Sequence, residues 1–265
     1  MDTEQDKKVE IYVCFHDLKQ LPDIKKIIKG NDIYKLILLG ENTKSSNEYC
    51  IETEGDNIAY LNPFISEMSG IYWICKNSDA DIIGLVHYRR YFVKRKYFGR
   101  LIDKEYILKN LKNNDLLIHH GTAPLRGTNH DVYGDETLND AFGLLKNMYP
   151  EYIDSYNEVI NSEYPLSFFN MFVANRDIIN EYIDWVIPLL EELSRTSDVS
   201  ENPRMIGVIG EFLFNVYIHH NNLKFKWVHL KFYGNLKLKL RMIISKIGVV
   251  RFFFKNIYYP IKKKF

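Results

Sequence analysis

The sequence predicts an α/β protein with a largely parallel sheet flanked by helices, followed by a basic amphipathic helical tail. Three observations predict it. Short apolar runs alternate with helix-period segments from Val9 to Leu230. The runs are nearly continuous, as in strands covered on both faces. Charge is also split along the chain: no acidic side chain follows Glu211, whereas 12 of the 35 lysines and arginines do. The first 211 residues hold 23 basic against 34 acidic groups, so an acidic body precedes a basic end.

In order, Val9 to Phe15 reads as a first strand ending at His16-Asp17. Pro22 to Lys29 reads as a short helix closed by Gly30-Asn31, and Tyr34 to Leu39 as a second strand. Residues 41–58 are polar and read as loop. Asn62 is the expected N-cap of a helix with Pro63 at its first position, and Ile65, Met68, Tyr72 and Cys75 repeat along one face. Ile82 to Val86 reads as a buried strand, and Asp103 as the cap of a helix through Leu111. Asp115 to Ile118 is a further strand, and residues 121–136 form a long Gly/Pro/Asn/Asp-rich loop of the kind that closes over sites. Two helices split at Pro150 follow, Thr137 to Met148 and Glu151 to Asn161. Then come a strand at Phe168 to Ala174, a helix at Arg176 to Leu193 kinked at Pro188, a helix at Ile206 to His219, and a last strand at Lys224 to Leu230.

The chemistry concentrates at His87-Tyr88-Arg89-Arg90, beyond the carboxyl end of the third apolar run, where open α/β sheets bind ligands. Adjacent guanidiniums suit an anion, a diphosphate above all. Glu211, beside Gly207 and Gly210 and ahead of Phe212-Leu213-Phe214, is a candidate general base, because a carboxylate in apolar surroundings has a raised pKa. Asp131, Asp135 and Glu67 are the alternatives for that role. Asp79-Ala80-Asp81 spells a DxD but precedes the strand, the wrong end for a metal-held diphosphate, and reads as a solvated turn. His119, His120 and His130 lack metal-ligand spacing. No metal residue is assigned, and Mg or Mn stays open as a cofactor. The absence of GxGxxG and GxxxxGK[ST] argues against a dinucleotide oxidoreductase and a P-loop enzyme.

Four blocks carry a resemblance: LNPFISEMSGIYWICKN, IIGLVHYRRYF, FFNMFVANRDIINEYIDWVIPLLEEL, and the R-x-x-G-x-x-x-E-F-L-F-N-V-Y-I run that starts at Arg204. They resemble a bacterial family, long labelled a domain of unknown function, of capsule, O-antigen and exopolysaccharide glycosyltransferases with a GT-A-like fold. The resemblance implies a nucleotide-sugar-dependent hexosyltransferase, expected to be inverting, that moves a sugar, with galactofuranose a candidate, from a UDP-sugar to a lipid-linked glycan. The positions it carries over are Asn62, Glu67, His87, Tyr88, Arg89, Arg90, Asn170, Arg204 and Glu211; their residue types suit donor contacts at the first six, acceptor contacts at Asn170 and Arg204, and a base at Glu211. The alternative is a non-catalytic glycan-binding or scaffold subunit of a polysaccharide-assembly complex. It differs from the enzyme in whether Arg89, Arg90 and Glu211 face one pocket.

The expected division is a catalytic domain over 1–235 and a membrane-associating tail over 236–265. On a helical wheel Lys237, Arg241, Arg251 and Lys255 oppose Met242, Ile243, Ile247, Val250, Phe253, Phe254 and Ile257. The tail is expected to meet an anionic membrane surface. With no signal peptide, no apolar run of spanning length and three unpaired-looking cysteines, the expected place is cytoplasmic, peripheral on the inner face of the membrane. An acidic body disfavours a nucleic-acid partner.

Overall fold

The computed structural model describes residues 6–40, 46–96, 99–121, 127–130, 136–197 and 203–233. The tail and most of the 121–136 loop, with Asp131 and Asp135, lie outside the described residues.

β1 (Val9–Phe15) is the spine of the sheet, buried at every position. β2 (Tyr34–Leu38) runs parallel beside it, with Phe15 opposite Leu38. β3 (Cys50–Ile51), inside the stretch expected to be loop, extends β2 in parallel. On the other side of β1 lies β4 (Ile82–His87), also parallel, which places Cys14 opposite His87. Beyond β4 the direction changes. β5 (Arg90–Val93) turns back from it through a two-residue hairpin, with His87 opposite Arg90. β6 (Leu116–His119) and β4 both pair with β7 (Phe172–Asn175), which is antiparallel to each. β8 (Phe225–Phe232) is parallel to β6. The sheet is therefore mixed: β5 and β7 run against the other six strands, which share the one direction expected of a largely parallel sheet. A buried apolar run reports that both faces are covered, not which way the strand points.

The helices are α1 (Leu21–Ile28), α2 (Asn62–Ile65), α3 (Met68–Asn77), α4 (Lys104–Leu111), α5 (Glu136–Met148), α6 (Ile153–Asn161), α7 (Arg176–Thr196) and α8 (Met205–His220). α4 starts as its sequence requires, with the Asp103 carboxylate accepting from the Tyr106 amide at 3.0 Å. α8 is apolar almost all round and is buried from Phe212 to Ile218, the mark of a central helix. It packs against α2, α5, α6 and α7. Among the described residues no helix is long and apolar enough to cross a membrane.

The single helix expected from Asn62 is two helices, broken at Ser66, whose φ is 52°. Asn62 is the first helical residue rather than the cap, a place that Leu61 takes. Its side chain turns inward and donates to Glu52 Oε2 at 3.2 Å, Ser66 O at 3.1 Å and Ser69 Oγ at 2.9 Å. This knot holds the break, and the break aims Glu67. The strand expected at Phe168 to Ala174 begins only at Phe172, because Phe169 and Asn170 stand at φ of 68° and 48°. Left-handed residues cannot continue a ladder.

Candidate active site

The carboxyl ends of β1, β4 and β6 lie along one edge of the sheet, and antiparallel β7 begins at that same edge, with Phe172 opposite Leu85 and Ile118. The Phe169-Asn170 turn is therefore carried up beside His87. His87 Nε2 donates to the Phe169 carbonyl at 2.7 Å, leaving Nδ1 to face the Arg90 guanidinium at 3.5 Å. Arg90 lies over the Phe169 ring, 3.9 Å from its centre. From the α2–α3 joint, Glu67 Oε1 accepts from Asn170 Nδ2 at 3.1 Å and stands 3.9 Å from His87 Nε2.

Glu211 reaches the same place from α8. A Cβ on Gly207 would lie 3.3 Å from the Ile65 carbonyl carbon and oxygen, so the bare glycine lets α8 close on the α2–α3 joint. Glu211 is one turn further along the same face and so looks toward Glu67, with the Phe169 amide and Arg90 as its other neighbours. Arg204, two turns back on that face, caps the helix and is exposed. His16, just past β1, lies within electrostatic reach of Glu67, His87 and Arg204.

The electrostatics follow from this crowding. Burial, and next the Glu67 carboxylate, push the Glu211 carboxyl up to about 8, while the Phe169 amide and Arg90 pull against them. Burial pulls the Arg90 guanidinium below its usual range, opposed by Glu67 and Glu211. Burial also lowers His87, which stays a neutral ring fixed by its bond to Phe169. Among the described residues no carboxylate stands within ion-pairing distance of Arg90. The site thus holds a half-buried guanidinium beside a carboxyl pushed up to about 8.

Of the residues singled out by sequence, Glu67, His87, Arg90, Asn170 and Glu211 are brought together. Arg204 lies at the rim. Arg89 is at the exposed hairpin tip, its guanidinium 4.7 Å from the Tyr88 ring centre, so it does not share the interior with Arg90. Asn62 is committed to the knot described above. Asp79 and Asp81 lie at the opposite end of β4, where Asp79 pairs with the Lys8 ammonium and Asp81 accepts from the Lys8 amide at 2.7 Å. His119 and His120 do not join a metal cluster: their rings pack on Phe169 and Trp227. Among the described residues no three His, Cys, Asp or Glu side chains surround a common point. Sequence reading missed Phe169 and Asn215, and weighed His119 only as a metal ligand. A left-handed turn built from Phe and Asn, without glycine, leaves no compositional trace.

This mixed α/β architecture is similar to that of a glycosyltransferase. The apo structure of the WbbM bifunctional glycosyltransferase matches with a TM-score of 0.70 and 25% identity over 86% of this chain and 46% of that one. The chain thus spans about half the length of that protein. Two structures of glucosyl-3-phosphoglycerate synthase from Mycobacterium tuberculosis also match. One is in complex with Mn2+, uridine diphosphate and glucosyl-3-phosphoglycerate, the other with Mn2+, uridine diphosphate and phosphoglyceric acid. They match at 10% and 9% identity over 94% of this chain and 80% and 78% of theirs, at a TM-score of 0.34, too low to mark a shared fold. No curated protein sequence matches. Over residues 10–222 the chain matches the family described as a domain of unknown function, DUF4422, and it belongs to that family.

Proposed function

We propose that the chain is an inverting glycosyltransferase that moves a hexose from a UDP-sugar to a glycan acceptor. The observation that carries this reading is the meeting of Arg90, free of any ion-paired carboxylate among the described residues, with Glu211 at the carboxyl edge of the sheet. In the proposed reaction Arg90 receives the donor diphosphate. The acceptor hydroxyl gives its proton to the Glu211 carboxylate, its oxygen bonds to the anomeric carbon, and the bond from that carbon to the diphosphate breaks. The electron pair leaves with UDP, whose growing charge Arg90 offsets. Glu67 and His87 hold the neighbouring walls, Tyr88 and Arg89 stand where a hairpin tip can meet the nucleotide, and Asn170 and Arg204 face the acceptor side. Mg or Mn on the diphosphate is compatible with these roles and is not required by them.

The resemblance to capsule and exopolysaccharide transferases extends the proposal to a lipid-linked acceptor, with galactofuranose as a candidate sugar. The basic, amphipathic pattern of the last thirty residues extends it further, to a catalytic domain over 1–235 and a tail over 236–265 that holds the protein on the inner face of the membrane. A scaffold subunit would need no half-buried cation beside a raised carboxyl, and that pairing favours the enzyme. Thermal shift with a panel of UDP-sugars that includes UDP-galactofuranose, followed by donor hydrolysis or transfer assays, tests the reading. Stabilisation by at least one donor is expected. No shift with any donor and no UDP release would overturn it.

A further inference from the structure

Ser167-Phe168-Phe169-Asn170 leads into β7, and each of its four residues is tied to a different side chain. The Ser167 amide donates to Asn215 Oδ1 at 2.8 Å, and Asn215 Nδ2 donates to the Ser167 carbonyl at 2.9 Å. Phe168 is held by His119, whose Nε2 lies 2.6 Å from the Phe168 carbonyl oxygen and 3.0 Å from its amide nitrogen. The carbonyl contact is the shorter one and fits an Nε2–H donor. Phe169 is held by His87 and Asn170 by Glu67, as described above. Two consecutive left-handed residues that are not glycine persist only where the surroundings fix them.

His119 stands out in this set. It is buried at 3% exposure, and no role in the proposed reaction falls to it. Its ring stacks on Phe169 with centres 5.3 Å apart and planes 22° apart, and the same Phe169 ring carries the Arg90 guanidinium. One residue along the backbone from the carbonyl that His119 fixes is the Phe169 amide, which faces Glu211.

We propose that His119 is a positioning residue for Arg90 and Glu211, acting through the Phe168–Phe169 backbone and the Phe169 ring. The inference rests on the transferase reading only for the roles given to those two residues. The physical argument has two arms. Through its hydrogen bond, His119 orients the peptide whose N–H favours the ionised form of Glu211, against burial and Glu67. Through its ring, it keeps Phe169 flat beneath a half-buried cation. The groups that face Glu211 are Glu67 from the α2–α3 joint, Arg90 from β5, the Phe169 amide, and Tyr182 from α7, whose hydroxyl donates to the Gly210 carbonyl at 3.1 Å.

Two substitutions separate the arms. His119→Phe keeps a ring and loses the donor; His119→Gln keeps an N–H near the Nε2 position and loses the ring. In the full chain, carbon NMR of the glutamate carboxyls follows the Glu211 titration, assigned with Glu211→Gln, and calorimetry measures affinity for inorganic pyrophosphate. His119→Phe is expected to raise the Glu211 midpoint by about 0.5 in pH or more, as a lost hydrogen bond to the charged form does. His119→Gln is expected to weaken pyrophosphate about three- to tenfold, the scale of a lost cation–ring arrangement. A folded variant with parental midpoint and parental affinity overturns the proposal, even if its melting temperature falls, since that pattern is merely structural. If His119→Phe does not fold, the same two readings on His119→Gln decide. If the parent itself ignores pyrophosphate, the donor role of Arg90 fails, and the Glu211 midpoint alone decides on His119.

Discussion

At Glu211 two carboxylates and one guanidinium share a half-buried space, and the proton on Glu211 decides what the site can do. A base must be ionised, so turnover is expected to rise with pH to a plateau past about 8. Glu211→Gln is expected to keep donor binding while turnover drops about 10²–10⁴-fold; near-parental turnover would move the base to Glu67 or to the 131–135 stretch. The same residue makes a stability statement of definite sign. Its folded value lies above the ordinary 4.5, so the folded state holds the extra proton between 4.5 and about 8 and loses stability as pH rises through that window. Glu211→Gln should therefore melt higher than the parent at pH 9 and show little gain at pH 4, a comparison that scanning calorimetry makes directly. An equal gain at both would mean that the carboxyl is not held protonated. Arg90 and Arg89 are adjacent, yet only Arg90 lies over the Phe169 ring beside His87, while Arg89 lies over Tyr88 at the exposed hairpin tip. Arg90→Ala is expected to weaken UDP-sugar binding by about 1.5–3 kcal/mol and Arg89→Ala by less. The reverse order in a titration would reassign the diphosphate to the hairpin tip.

The elements show which features a sequence can report. Continuous apolar runs marked β1, β2 and β4 to within a residue, and Asp103 marked the start of α4, because burial and capping act through residue type. Arg90 and Glu211 were legible for the same reason: charge beside apolar sequence is unusual. The direction of β7, the break at Ser66 and the Phe169-Asn170 turn were not legible, since tertiary contacts hold them and no glycine or proline announces them. One glycine does bear on the turn. A Cβ on Gly121, just past β6, would fall 1.1 Å from the Leu166 carbonyl oxygen and 2.3 Å from its carbon. Gly121→Ala must therefore displace the backbone leading into Ser167. A loss of about 1–3 kcal/mol is expected from such overpacking, with turnover falling further than stability alone explains. A parental melting curve with parental turnover would show that the segment can shift without consequence for the site.

Over the whole molecule, the candidate site and the densest run of positive charge fall in different parts of the chain. The chain divides into two units, Met1–Lys231 and Phe232–Phe265, and every candidate site residue belongs to the first. The second carries the basic, amphipathic sequence from Leu236 to Phe265, ending in Lys262-Lys263-Lys264, with Pro260 a natural stop for a helix. Lys239 and Lys246 fall on the apolar side of the wheel, where long stems can run along the surface and keep their ammoniums in water. Each basic group close to anionic lipid contributes roughly 1 kcal/mol, so several together give reversible attachment. A lipid-linked acceptor gives such attachment a purpose, because confining enzyme and acceptor to one surface replaces a search in three dimensions. The competing account is a helix that closes over the body's own core, as amphipathic helices commonly do. A chain ending at Asn235 distinguishes them. It is expected to fold with the parental melting temperature, to keep UDP-sugar binding, and to lose co-sedimentation with anionic liposomes that the full chain shows at low salt. Unfolding of the shortened chain, or a full chain that ignores such liposomes, would assign the tail to the core and remove the membrane from the proposal.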